Sequence, residues 1–318
     1  MSTHWWVRYA CVSLFCLSCQ AKEGMSILFG GDVMLDRGIR AQIHSRGVGY
    51  LTEGISSTFK SVDYTIVNLE CPATNIQAPL SKKFVFRADP EWLADLRHEG
   101  VTHCIVANNH SYDQGRDGLI STEENLVNAN LASIGYGTNQ QSACEPVLLQ
   151  RNGVSVAVFA SVTLPLESWM YLEDLPGMCQ ATIDDLVVAI ASYKKDHPET
   201  FVIVTLHWGI EYQPHPTRVQ RDQARDLIKA GADAIVGHHP HVVQSYEILD
   251  GKPVFYSIGN LIFDNPNPLT HDGILVRLNF KKDTSDFEII PYHTSDNKPL
   301  LMTGESREDF LLKHQPVQ

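Results

Sequence analysis

The stretch GADAIVGHHPHVVQ occupies residues 231–244. Within it, Asp233–Val236 is a short apolar run of strand character, and Gly237, His238, His239, Pro240 and His241 follow directly. Three imidazoles in four positions, beside a proline that stiffens the loop, suit chemistry better than packing. His238 and His239 are adjacent and point in different directions. His239 and His241 are spaced i, i+2 and can face one side of an extended loop. His238 is left to a supporting or structural role.

The same ending recurs along the chain. Ser26–Gly31 (SILFGG) ends at Asp32, Asp63–Leu69 (DYTIVNL) at Glu70, Thr102–Ala107 (THCIVA) at Asn108-Asn109-His110, and Phe201–Leu206 (FVIVTL) at His207. In open α/β sheets the loops beyond the carboxyl ends of the strands form the ligand crevice, so these five ends are expected to converge. Taken singly the residues are ordinary: Asp32 suits a helix cap, Asn109 a turn, Glu70 a loop, His207 a satisfied core position. Together they mix carboxylate, amide and imidazole, a set that fits Zn, Mn or Fe better than Ca. The absence of Cys from the set argues against a closed structural zinc site.

Helical spacing is expected over Pro90–Glu99, Gly118–Asn130, Ile183–Lys195 and Thr217–Ala230, the last stopped by Gly231. Asn152-Gly153 and Asp250-Gly251 are two-residue hairpin signals. Ile274–Phe280 and Phe287–Pro291 read as late strands, and Asp264–Pro268 as a surface loop. Strand–helix alternation in the early half implies parallel pairing, and hairpins in the later half imply antiparallel strands. The expected architecture is α/β, a sandwich of two mixed sheets between helical layers, in one domain spanning 22–318.

The 318 residues carry 25 Lys+Arg against 37 Asp+Glu, a formal charge of −12, and 43% are hydrophobic. This is too apolar for a disordered chain, and the acidic balance argues against a nucleic-acid binder or a general binder of anionic membranes. Residues 1–21 resemble a secretory or lipoprotein signal: one charged side chain, Arg8, then the apolar YACVSLFCLSC at 9–19. Cys19 is the candidate lipidation site, although Cys16 stands where such boxes carry Leu. Any membrane contact is therefore expected only through this anchor, and the mature protein is expected to be periplasmic or extracellular. Export permits disulfides among Cys71, Cys104, Cys144 and Cys179, with the pairing left open. Cys71 and Cys104 fall in core segments and fit buried thiols equally well.

The segments GDVMLDRG (31–38), NLECPAT (68–74), ANNHSYDQGRDGL (107–119), HWGIEYQPHP (207–216), GADAIVGHHPHVVQ (231–244) and YSIGNLIFD (256–264) together resemble the CapA family of poly-γ-glutamate capsule synthesis proteins. The resemblance implies a calcineurin-like metallophosphoesterase fold, a four-layer αββα sandwich. It also implies Asp32, Glu70, Asn109, His207, His239 and His241 as ligands of one or two divalent ions, with Asp32 and His110 catalytic and His110 as the acid. Met34 departs from the Asp-x-His that opens the wider superfamily's motif, and Met is a poor ligand for a hard, water-activating ion. Arg37 and Arg87 are candidate anion-binding residues. Lys82 and Lys83 are read as solvated charges, and Trp208 and Tyr212 as cleft-lining or core aromatics.

The expected function is a metal-dependent hydrolase or transferase of the cell envelope. Its partner would be an anionic polymer or precursor, together with membrane proteins of polymer synthesis or export. Two alternatives stand beside it: a non-enzymatic, metal-containing accessory protein that guides an exported polymer, and a metal-dependent phosphodiesterase.

Overall fold

The computed structural model describes residues 24–168 and 171–316. Residues 1–21, read above as an expected signal segment with Cys19, lie outside the described residues. Four strands come first, β1 (Met25–Val33), β2 (Tyr64–Leu69), β3 (His103–Ile105) and β4 (Ala132–Ile134), paired parallel in that order. β5 (Tyr136–Gly137) starts a small ribbon. β6 (Val147–Arg151) and β7 (Val154–Val162) form the hairpin expected at Asn152-Gly153, where both turn residues have positive φ. β8 (Gly177–Met178) pairs with β5, and β9 (Phe201–His207) and β10 (Ala234–His238) extend the second sheet parallel to β7. β11 (Glu247–Leu249) and β12 (Lys252–Phe255) close that sheet as a hairpin.

The chain then returns to the first sheet. β13 (Asn260–Ile262) lies parallel beside the end of β1, and β14 (Asp272–Lys281), β15 (Thr284–Ser295) and β16 (Lys298–Leu301) form an antiparallel run seated on β1. Three apolar cores make this a four-layer αββα sandwich. Alternate side chains of a strand face opposite sides. Ile27 and Phe29 accordingly meet Val156, Val158, Ile203 and Val236 between the sheets, whereas Leu28 and Val67 meet Ile39, Leu51, Leu93 and Leu126 of the first helical layer. On the far side, Phe159, Val202 and Val204 pack on Ile183, Leu186, Ile190 and Leu227. Burial on both faces is why these strands read as unbroken apolar runs.

The helices end where their caps dictate. Ile183–Asp196 and Arg218–Ala230 each begin with a reciprocal capping box, Thr182 with Asp185 and Thr217 with Gln220. The second expected hairpin is shorter than its apolar pattern suggests. Val242–Tyr246 lies outside the named strands because its polar groups are spent elsewhere: Ser257 Oγ donates to the Val242 carbonyl, and Gln244 donates to the carbonyls of Gln213 and His215. Helix Arg37–Arg46 was not expected, since only Ile39 and Ile43 of its residues are buried. Of the four later cysteines, Cys144 and Cys179 form a disulfide, and Cys71 and Cys104 are buried thiols. No helix among the described residues is long and apolar enough to cross a membrane.

Candidate metal centre

The five strand ends meet. β1 delivers Asp32, β2 runs straight into Glu70, β3 leads into Asn109 and His110, β9 ends on His207, and β10 leads into His239 and His241. Asp32 is fully buried. Its Oδ1 accepts from Asn68 Nδ2 at 2.8 Å and lies 3.2 Å from His238 Nδ1, and its Oδ2 lies 3.4 Å from His241 Nδ1. Burial alone would raise this carboxyl; the close imidazoles of His238 and His241 outweigh it and hold the group well below the usual range.

Glu70 behaves oppositely. It is fully buried, and neither carboxylate oxygen has a hydrogen-bond partner. Burial first, then the nearby Asp32 charge, push its carboxyl well above the usual range. Three imidazole nitrogens surround its Oε1: His207 Nε2 at 3.8 Å, His110 Nε2 at 4.0 Å and His241 Nε2 at 4.0 Å. These separations are too long for hydrogen bonds. They suit pairs of ligand atoms that each stand about 2.0–2.2 Å from a shared ion. Ligand atoms of Asp32, Glu70 and His241 all lie within 4.8 Å of one another. An unpartnered buried carboxylate ringed by imidazoles fits a divalent cation, and the oxygen and nitrogen donors suit Zn, Mn or Fe.

Asn109 Oδ1 lies 2.9 Å from His207 Nε2. Two expected ligands are thus paired with each other. His239 is buried, its Nδ1 has no partner, and its ring stands 4.9 Å from that of His207. His239 and His241 have φ of 98° and 59°, strained values for residues other than glycine. His241 Nδ1 lies 2.9 Å from Asn260 Oδ1, and this bond leaves Nε2 free to bind an ion.

His110 is backed by a buried relay. Its Nδ1 lies 2.8 Å from Asp113 Oδ2, and Lys82 Nζ lies 2.6 Å from Asp113 Oδ1. Lys82 is therefore no solvated charge; it is a largely covered partner of a fully buried acid. Burial lowers the His110 imidazole, and Asp113 acts against that.

The two arginines are placed differently from their expected use. Arg37 bonds Asp264 and lies over the rings of Phe86 and Phe263 at 5.1 and 5.5 Å. Phe86 in turn packs on His110, so Arg37 stands one aromatic layer behind the site. Arg87 donates to the Thr74 carbonyl and to Asp89. Both guanidiniums are committed to protein partners. Met34 is fully buried, and its sulfur accepts from the Asp36 backbone N–H at 3.1 Å. Trp208 is core, its indole bonded to the Tyr256 carbonyl; Tyr212 stands 6.1 Å from His241.

A cavity of about 490 Å³ opens onto Asn109, His110 and His239, with Lys83, Phe84 and Glu211 at its walls. A larger one of about 570 Å³ lies beside Cys144 and holds none of these ligands; chemistry, not volume, locates the site. The residues that strand-end reasoning missed are Asn68, Asn260, Asp113 and Glu211. Asn68 is the penultimate residue of β2, where the same positional signal was available, whereas Asn260 opens β13 and carries no such signal. Asp113 and Glu211 lie within loops, where spacing gives no such signal.

A family model described as "Bacterial capsule synthesis protein PGA_cap" matches residues 26–265. The PGA biosynthesis protein CapA of Bacillus subtilis (strain 168) is 31% identical over 286 residues, covering 89% of this chain and 75% of that protein. The capsule biosynthesis protein CapA of Bacillus anthracis is 30% identical over 290 residues, covering 89% and 70%. Among solved structures, Haemophilus influenzae NAD nucleotidase (NadN) superposes with a TM-score of 0.52 at 13% identity, over 92% of this chain and 63% of that one. A hypothetical protein from Thermus thermophilus gives 0.51 at 16%, over 85% and 99%. At these identities the two structures share the fold alone.

Proposed function

Because the chain belongs to the bacterial capsule synthesis protein PGA_cap family, we propose that it is a metal-dependent hydrolase or transferase acting on an anionic envelope polymer or its precursor. The reading includes export to the cell surface or periplasm, with an anchor at Cys19 and contact with membrane proteins of polymer synthesis. The observation that carries it is Glu70, a buried carboxylate without hydrogen bonds among three imidazoles. Asp32, Glu70, Asn109, His207, His239 and His241 would hold one or two ions of Zn, Mn or Fe. When bound, the metal supplies Lewis-acid polarisation of a phosphoryl or carbonyl oxygen and positive charge for an anionic transition state.

The remaining work falls to the protein. Asn68 and His238 orient the Asp32 carboxylate, and Asn260 holds His241 in the tautomer that frees Nε2. His110 Nε2 is the atom that passes a proton to a leaving oxygen, and Asp113, braced by Lys82, stabilises the imidazolium this requires. Phe86, its ring tilted 33° against His110 at 4.3 Å, keeps the His110 ring in place and covers that side. Lys83 at the cavity wall, lying over the Phe84 ring, supplies positive charge toward an anionic chain.

The test is metal binding and turnover measured together on the full chain, with a chromogenic phosphodiester and poly-γ-glutamate as substrates. The wild type is expected to take up Zn or Mn and to cleave at least one substrate; His239→Ala is expected to lose both properties. Stoichiometric metal without turnover on either substrate would favour the non-enzymatic accessory role, which Met34 at the position of an expected imidazole also favours. A protein that binds none of the three metals would refute the site.

A further inference from the structure

We propose that Glu211 is a ligand of the metal centre, joining His239 and His241 on one ion and supplying the donor that Met34 withholds. The proposal rests on the metal-centre reading above and adds a residue that neither strand-end position nor the family resemblance assigned.

One carboxylate oxygen of Glu211 and one ring nitrogen each of His239 and His241 lie within 4.8 Å of one another. The histidines are buried, and the His239 Nδ1 has no partner. Glu211 is exposed, on the wall of the same cavity that opens onto Asn109 and His110. No Lys or Arg among the described residues pairs with its carboxylate. In a cleft meant for an anionic chain, an unneutralised carboxylate would repel the ligand. Bound to an ion, it adds no net repulsion.

The backbone holds it there at a cost. Glu211 rides on the loop after His207, and that loop is fastened to the histidine loop by the Tyr212 N–H donating to the Pro240 carbonyl at 2.9 Å. Tyr212 has φ of 62°, a strained value for an aromatic residue. Gly209 has φ of 90°, and a Cβ on it would stand 2.7 Å from Gln220 Nε2, so the turn admits no larger residue without a shift. Tyr212, His239 and His241 thus place three strained non-glycine residues in two adjoining loops. Strain of this kind persists where the surrounding structure over-determines a functional geometry. Met34, by contrast, is buried with its sulfur engaged by a backbone N–H two residues on. The inner side of the centre lacks an imidazole, and the outer side has a carboxylate without another use.

The test is calorimetric titration of the metal-stripped full chain with Mn²⁺ alone, supported by the paramagnetic resonance spectrum of the bound ion. Outer-sphere partners of ligands are worth about 10- to 100-fold in affinity. Loss of a direct ligand should be at least as severe, so Glu211→Gln is expected to weaken Mn²⁺ binding tenfold or more and to alter the spectrum. Glu211→Asp should recover part of the loss. Because Glu211 is exposed, the metal-free melting temperature of Glu211→Gln should match wild type, which separates ligand loss from misfolding. Binding by Glu211→Gln within twofold of wild type, with binding lost in His239→Ala, would overturn the proposal and leave the metal centre standing, even if turnover fell. Wild-type affinity in both variants would overturn the metal centre and this proposal with it.

Discussion

Replacing Glu70 by Gln is expected to raise the melting temperature of the metal-free protein and to abolish the stabilisation that Zn or Mn gives the wild type. The two signs come from one side chain. Without metal, Glu70 is a fully buried carboxylate with no hydrogen bond and with Asp32 beside it. An unsatisfied buried polar group costs about 1–3 kcal/mol, and more when charged. An amide carries no charge to bury and none to repel Asp32, at any pH. At roughly 2 °C per kcal/mol for a chain longer than 250 residues, the gain should be a few degrees.

The pH dependence carries the same information. The folded Glu70 carboxyl titrates above its unfolded value, so the metal-free folded state holds the extra proton. Its contribution to stability is full below the ordinary carboxylate range and is lost as pH rises through the raised folded value. Glu70→Gln should remove that decline. With metal at a hundredfold excess over its dissociation constant, the wild type gains about 2.7 kcal/mol, and Glu70→Gln should gain almost none. Thermal unfolding with and without metal, across pH, checks both halves.

Replacing His110 by Ala should leave metal bound and slow turnover in a way that depends on the leaving group. General acid catalysis is worth about 10²- to 10⁴-fold. A poorly stabilised alkoxide needs the proton, and p-nitrophenolate does not. His110→Ala should therefore lose most activity on an alkyl phosphodiester and much less on the chromogenic one. Asp113→Asn should show a smaller loss with the same dependence, because Asp113 reaches the leaving group through the His110 ring, while it also holds Lys82 and the Phe86 N–H. An equal loss on both esters would mean that His110 positions substrate and does not protonate it.

Strand ends are the legible part of this molecule. Strands buried on both faces must be apolar throughout, so a polar residue at the end of each stands out, and Asp32, Glu70, His207, His239 and His241 are all marked in this way. The layer behind them is less legible. Asn68 lies within the β2 run and Asn260 opens β13, so neither stands out until its partner, Asp32 or His241, is seen. Lys82 reads as solvated because its partner, Asp113, lies in a later loop. Arg37 and Arg87 read as free because Asp264 and Asp89 contact them only in the folded chain. The shortened β11–β12 hairpin has a related cause: Gln244 and the Val242 carbonyl are held by long-range bonds, and local apolar pattern carries no trace of those.

The most direct test of the metal centre is X-ray absorption at the zinc edge on the zinc-loaded, full-length protein. The expected spectrum has nitrogen and oxygen donors at about 2.0–2.2 Å, with outer scattering from imidazole rings. Sulfur at about 2.3 Å, or a spectrum of fully hydrated zinc, would contradict it.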